Sequence, residues 1–274
     1  MTPQRERGGL FIPSTHESLS GTKRDRDLIY IPRRTKETRE IGFHDAQGAE
    51  YFMIADEIHL WIGDLDQPSP RLPILSQKEE VRAQQFLKPQ DARRFRVAHS
   101  FVREILGRYV KQPPDKLEFE FNAAGKPFLQ EEVGGAPRTF FNLAHSDRYA
   151  LLAVSRDQEV GVDIEVEREF VDLPGMARQI MSCAEWTSFR CLPPEAAHDA
   201  FFDLWTRKEA LLKAAGTGLL IDPRETHLGI PNKPVTVRLQ GRTFCVESVL
   251  LSVRAKAAIA VEGELHGIHM FKAR

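Results

Sequence analysis

Alternating and helically spaced apolar positions divide this chain into a short list of elements. Ile58-His59-Leu60-Trp61-Ile62 alternates and stops at Gly63-Asp64, which predicts a strand. A proline-rich loop (Pro68, Pro70, Pro73) follows. Ser76 with Glu79 three residues on is a capping-box pattern, so a helix begins there. Val81, Phe86, Phe95, Phe101, Val102, Ile105 and Leu106 are candidate core positions of helical segments broken at Pro89 and ended by Pro113-Pro114. Leu117-Glu118-Phe119-Glu120-Phe121 alternates as a strand, and 122–127 reads as a loop. Strands are predicted over 140–143 and 149–154, flanking a turn at His145-Ser146-Asp147. A strand over 160–166 leads to helix over 173–190 and a long helix over 198–215; strands over 235–239, 244–251 and 257–261 complete the pattern. Because strands and helices do not alternate regularly, the fold class is α+β rather than a parallel α/β fold. We expect two similar lobes, each a small antiparallel sheet packed with helices, a pseudo-dimer in one chain. Residues 1–50, polar and aperiodic, are expected to be a flexible N-terminal extension. Residues 51–157 would form the N-terminal lobe and 158–274 the C-terminal lobe.

Composition adds exclusions. A net charge of −1 gives no global attraction to nucleic acid or membrane, so any anion site must be local. The basic run Arg82, Lys88, Arg93, Arg94, Arg96 and Arg103 is poor in interleaved aromatics and reads as a solvated face before it reads as a nucleic-acid surface. The three cysteines (Cys183, Cys191, Cys245) are an odd number without a CxxC pair, which argues against a disulfide framework or structural zinc and for a reducing cytoplasm. Cys183 and Cys191 are expected to pack in the core. No apolar run approaches the ~20 residues of a membrane span.

The chemistry concentrates in two segments, Gly161-Val162-Asp163-Ile164-Glu165 and Trp205-Thr206-Arg207-Lys208-Glu209-Ala210-Leu211-Leu212-Lys213. On a strand, Asp163 and Glu165 share a face while Val162, Ile164 and Val166 point into a core. If the helix brings Glu209 to that face, three carboxylates converge. Two like charges about 4 Å apart repel by roughly 4 kcal/mol at an effective dielectric of about 20. Such a set needs a cation or raised pKa values, and an all-carboxylate site with room for water suits Mg²⁺. Taken singly, each segment is ordinary: Asp-x-Glu is usually a solvated face, and a Glu209–Lys213 pair at i,i+4 is worth only ~0.3–0.5 kcal/mol. Lys208 lies on or beside the apolar stripe of Phe201, Leu204, Trp205, Leu211, Leu212 and Ala215. A lysine there must snorkel or meet buried negative charge.

In order and spacing the two segments together resemble the signature of 4′-phosphopantetheinyl transferases of the larger, surfactin-synthetase-activating type. The resemblance runs from about Ile58 onward. Gly125-Lys126-Pro127 resembles the family's Gly-Lys-Pro element, Phe141-Asn142-Leu143-Ala144-His145-Ser146 its Phe-Asn-x-Ser-His-Ser element, and Asp91, Arg94 and Arg103 its basic N-lobe helix. The resemblance implies transfer of the 4′-phosphopantetheine arm of coenzyme A to a serine of an apo acyl or peptidyl carrier protein, with release of 3′,5′-ADP. Asp163, Glu165 and Glu209 would hold Mg²⁺. Lys213 would touch the pyrophosphate and Lys208 the reacting phosphoryl group. Glu209, or a metal-bound water, would take the serine proton. Arg82, Arg94, Gly125, Lys126, Pro127, His145 and Ser146 would bind coenzyme A, with Arg82 and His145 near the 3′-phosphate. The partner would present an acidic helix. The chain departs from the pattern at Ala144, where a serine is common, and at Phe95, where some relatives carry a small hydroxyl residue. Two other readings share these residues: a Mg-dependent nucleotide pyrophosphate hydrolase, and a non-catalytic coenzyme A-binding protein.

Overall fold

A single feature of strand β1 (Glu57–Asp64) sets the architecture: every residue from Ile58 to Gly63 is buried, so both of its faces are covered. The computed structural model describes residues 57–67, 73–130, 138–230 and 233–273. Residues 1–50, Pro68 and Pro70, on which some expectations fall, lie outside them. On one face Ile58, Leu60 and Ile62 join a central core; on the other Trp61 packs with Val102, Ile105, Leu106 and Tyr109 of helix α2 (Pro89–Val110). Helix α1 (Gln77–Ala83) carries the expected capping box, with both Ser76–Glu79 bonds formed. Pro89 stands in the first turn of α2, where its missing N–H leaves no bond unmade.

The first sheet has the order β10 (Gly267–Lys272), β1, β5 (Tyr149–Ser155), β4 (Phe140–Ser146), with β4 and β5 forming a hairpin. His145 and Ser146 lie within β4 and not in the turn expected there; the reversal falls at Asp147, whose φ of 50° is left-handed. A two-stranded hairpin, β2 (Phe119–Phe121) and β3 (Pro127–Leu129), flanks this lobe. The second sheet is antiparallel in the order β6-β9-β8-β7: β6 (Val160–Glu165), β7 (Val235–Leu239), β8 (Arg242–Val249) and β9 (Lys256–Glu262). Helix α5 (Pro194–Ala215) covers its outer face through Ala210, Leu211 and Ala214, against Phe244, Val246, Ala258 and Ala260. Each lobe is thus a sheet with one 22-residue helix on its outer side, the α+β two-lobed arrangement expected from the pattern.

Two departures have clear causes. The helix expected over 173–190 is two helices, α3 (Leu173–Ile180) and α4 (Cys183–Phe189). Ser182 caps the second through a capping box with Glu185. Cys183 and Cys191 are exposed there, not packed in the core; Cys245 is buried, and none of the three forms a disulfide among the described residues. Strand β10 (Gly267–Lys272) leaves the second lobe and pairs in parallel with β1, burying Ile268 and Phe271. The last strand in chain order therefore completes the first sheet and not the second. No described helix is long and apolar enough to cross a membrane.

Candidate active site at the seam between the sheets

The two sheets meet along β4 and β6. Asn142 Oδ1 accepts from the Val162 N–H (2.9 Å) and Ser146 Oγ from the Val166 N–H (3.1 Å), so side chains of one strand satisfy the edge of the other. Val162 and Ile164 enter the central core as expected. Gly161, Asp163 and Glu165 turn the opposite way, toward α5. A Cβ at Gly161 would lie 2.2 Å from both Ala210 O and Ala214 N, so the helix backbone rests directly on the strand. No larger residue permits that approach.

This contact lays α5 along β6 in a fixed register. Lys213 Nζ donates to Asp163 Oδ1 at 2.5 Å, and Trp205 Nε1 to Glu165 Oε1 at 3.2 Å. Ser146 Oγ donates to Glu165 Oε2 at 2.8 Å. Asp163 is 5 % exposed, and its second oxygen, Oδ2, is buried with no hydrogen-bond partner among the described residues. Burial pushes the Asp163 carboxyl up to about 7; Lys213 opposes the rise, while the Glu165 and Glu209 charges add to it. Burial also raises Glu209, again against Lys213 and with Glu165. The three carboxylates therefore act on one another as expected, with one ammonium among them. They are not, however, a ready-made cage. Among the described residues no group of three His, Cys, Asp or Glu side chains is arranged to hold a metal ion. Lys213, Ser146 and Trp205 hold oxygens of Asp163 and Glu165, spreading the carboxylates along the seam.

The remaining expected residues divide sharply. His145, exposed on β4, borders the seam; desolvation and the Lys213 ammonium depress its pKa, with smaller effects of the same sign from His99 and Arg94. Arg82 is exposed and lies over the Phe95 ring at 5.8 Å. Phe95 in turn packs on His99, ring centroids 4.0 Å apart. Arg94 was expected to bind coenzyme A, but its guanidinium is taken by Asp66 (2.9 and 2.7 Å) and Asp147 (2.6 Å). Lys126 is likewise committed elsewhere. Its ammonium donates to Glu159 Oε2 (2.6 Å), Val160 O (3.1 Å) and Ala214 O (3.3 Å). Gly125, at φ 84°, and Pro127 close a turn around Asn122, whose amide donates to Gly216 O at the end of α5 (2.9 Å). The Gly125-Lys126-Pro127 element is thus a staple on the C-terminus of α5. Ala144, 4 % exposed, shares the face of β4 that carries Asn142 and Ser146 and packs in the central core with Val160, Val162 and Ile164 of β6.

Lys208 is not brought to the carboxylates at all. It is fully buried and paired with Glu185 at 2.8 Å. This is the buried negative charge that the apolar stripe required, but the partner lies 23 residues upstream and no spacing rule pointed to it. Gly161, Trp205 and Ser146 were quoted in motifs for their identity; their packing and bonding roles emerge only from the fold.

A model of the 4′-phosphopantetheinyl transferase superfamily matches residues 159–262, and a model described as 4′-phosphopantetheinyl transferase, N-terminal, matches residues 60–157. The chain is 37 % identical over 171 residues to 4′-phosphopantetheinyl transferase HetI of Nostoc sp., a match covering 61 % of this chain and 72 % of the relative. It is 29 % identical over 212 residues to the L-aminoadipate-semialdehyde dehydrogenase-phosphopantetheinyl transferase of Xenopus laevis, covering 67 % of each. With 4′-phosphopantetheinyl transferase Sfp of Bacillus subtilis it shares 26 % identity over 148 residues, 54 % of this chain and 63 % of the relative.

Proposed function

This chain belongs to the 4′-phosphopantetheinyl transferase family, and we propose that it moves the 4′-phosphopantetheine arm of coenzyme A to a serine of an apo carrier protein at the seam of its two sheets. The observation that carries this reading is the meeting of Asp163 and Glu165 on β6 with Glu209 and Lys213 on α5, one oxygen of Asp163 being buried and unpartnered.

The donor set fits a hard divalent cation. Three carboxylates face one ammonium, and Asp163 Oδ2 is an oxygen without a donor. Asp163, Glu165 and Glu209 would hold Mg²⁺, whose charge offsets that of a diphosphate. The chain's own residues do the rest. Lys213, with 28 % of its side chain exposed, holds the pyrophosphate. Arg82 and His145 hold the 3′-phosphate end; neither is tied to a carboxylate by an ion pair among the described residues. The tilted Phe95–His99 ring pair stands where some relatives carry a small hydroxyl residue, so the nucleotide meets an aromatic wall there. Glu209, its pKa raised by burial, accepts the proton of the carrier serine. The serine oxygen bonds to the phosphorus that bears pantetheine, the bridging P–O bond of the pyrophosphate breaks, and 3′,5′-ADP leaves. Positioning and electrostatics supply most of the rate. The carrier would present its serine on an acidic helix, docking in a salt-sensitive way. The free thiols fit a cytoplasmic setting.

The test incubates the protein with a fluorescent coenzyme A conjugate, Mg²⁺ and an unmodified carrier protein, with and without chelator. Covalent label on the carrier, lost with chelator, is expected. Label released without attachment would replace transfer by pyrophosphate hydrolysis, and binding without either would leave a coenzyme A-binding protein.

A further inference from the structure

Glu185 and Lys208 form an ion pair with both side chains at 0 % exposure. Their bonding capacity is used up internally. The ammonium donates to Glu185 Oε2 (2.8 Å), Pro223 O (2.8 Å) and Thr226 O (2.6 Å). Glu185 Oε1 accepts from the N–H groups of Leu228 (2.8 Å) and Gly229 (3.2 Å), and Oε2 also accepts from the Ser182 N–H (2.8 Å). An ammonium has three protons, and three acceptors take them; nothing remains for a phosphate. Arg207, also fully buried, adds a bond to Gly229 O at 2.7 Å. The start of α4, the middle of α5 and the 222–229 segment therefore meet at one buried point.

That point has a defined place on the helix. Successive helical residues are about 100° apart, so Lys208 and Ala210 flank Glu209 on opposite sides. The Ala210 flank is fixed by bare backbone contact with Gly161. The Lys208 flank is fixed by Glu185. Between them stands the face that carries Glu209 and Lys213.

We propose that the Glu185–Lys208 pair is a positioning device, setting the rotation of α5 that presents Glu209 and Lys213 to the carboxylates of β6, and that Lys208 itself touches no substrate. The proposal rests on the transferase reading of the seam and revises the role that family resemblance implied for Lys208. The positioning pair also explains why a lysine sits in an apolar stripe: its charge is satisfied inside the protein.

The test compares the full-length protein with Lys208→Met, Glu185→Leu, the double variant Lys208→Met/Glu185→Leu, and the isosteric Glu185→Gln. Melting temperature, the Kd for coenzyme A by calorimetry, and kcat and KM for coenzyme A with an apo carrier are measured. Each of the first two exchanges strands one buried charge, so Tm and kcat fall together. The double variant replaces the pair by apolar groups of similar length, an exchange buried pairs tolerate. It should regain Tm and bring kcat back to within about threefold of the wild type. Glu185→Gln should fold and lower kcat about 3- to 30-fold with KM for coenzyme A unchanged. The coenzyme A Kd should stay within about twofold in every folded variant. A double variant with native Tm but kcat still about 100-fold down, or Kd about tenfold weaker, would place the Lys208 ammonium on the substrate and overturn the proposal. Wild-type turnover in Glu185→Gln would overturn it too, and that variant decides alone if the double variant does not fold. If the wild type bound coenzyme A but transferred nothing, the transferase reading would fail by itself. The positioning claim would then be judged on Kd, unchanged in Glu185→Gln if right and about tenfold weaker if wrong.

Discussion

Gly161→Ala is a one-carbon perturbation with a consequence that can be worked out. The added Cβ would stand 2.2 Å from Ala210 O and Ala214 N and 2.9 Å from Ala214 Cα. Comfortable non-bonded contact begins near 3.5 Å, so strand and helix must separate by roughly 1 Å. Every atom met is backbone, so no side-chain rotation relieves the clash. Overpacking of this kind costs about 1–3 kcal/mol. At about 2–4 °C per kcal/mol for a protein of this size, Tm should fall by about 2–12 °C. The larger effect is on chemistry. Displacing α5 carries Glu209 and Lys213 away from Asp163 and Glu165, and a 1 Å misplacement of reacting groups costs on the order of 100-fold in rate. The assay is transfer to an apo carrier well below the reduced Tm, with differential scanning calorimetry on the same sample. The double variant Gly161→Ala/Ala210→Gly should show no rescue, because the obstructing atoms belong to the main chain. A Gly161→Ala protein melting within about 1 °C of the wild type (under the ~2 °C lower bound) and turning over within twofold of it would refute the reasoning, as would rescue by the second glycine.

Three further outcomes test other parts of the structure. Glu209→Gln should cut kcat by about 10²–10⁴-fold while leaving Tm nearly unchanged, since a partly buried carboxylate is exchanged for a neutral isostere. Lys126→Met should destabilise the protein by about 1–3 kcal/mol in urea melts, because Glu159, Val160 O and Ala214 O lose their donor, yet leave the coenzyme A Kd within about twofold; a tenfold loss of affinity would return Lys126 to the binding site. His59 is buried, with its Nδ1 2.6 Å from the Tyr109 hydroxyl, and desolvation, followed by the neighbouring His269 and Arg156 charges, lowers its pKa from 6.5 to about 3. The unfolded chain therefore binds a proton between pH 6.5 and 3 that the folded chain does not, so this contribution is intact above pH 6.5 and lost as pH falls through that window. The loss has a slope of up to about 1.4 kcal/mol per pH unit, read as urea midpoints at pH 7 and 5; His59→Asn should flatten it.

Much of this architecture was legible in local pattern. The Ser76–Glu79 capping box, the strand over β1 and the inward Val162 and Ile164 opposite the Asp163/Glu165 face are rules of neighbouring residues, and the structure follows them. The composite seam was legible only because two motifs forty residues apart belong together in a family. What stayed hidden depends on distant partners. Glu185 is such a case: besides capping α4 it reaches the Leu228 N–H and the Lys208 ammonium, both far away in the chain. The basic side chains were the least legible. Arg94, Lys126 and Lys208 read as phosphate ligands because sequence shows a charge but not its counter-charge, and each proved to own a carboxylate. Arg82 has no such partner among the described residues, which no spacing could reveal.

The route of β10 bears on how the molecule comes into being. The first sheet is finished by a strand synthesised after the entire second lobe, so β1 spends translation with one side exposed. A buried, apolar strand with an open hydrogen-bonding edge is a template for wrong pairing. Long-range closure of this kind is also slow. Nascent chains stalled before Gly267 should therefore be the species that chaperones hold, because the first sheet closes only when β10 docks beside β1.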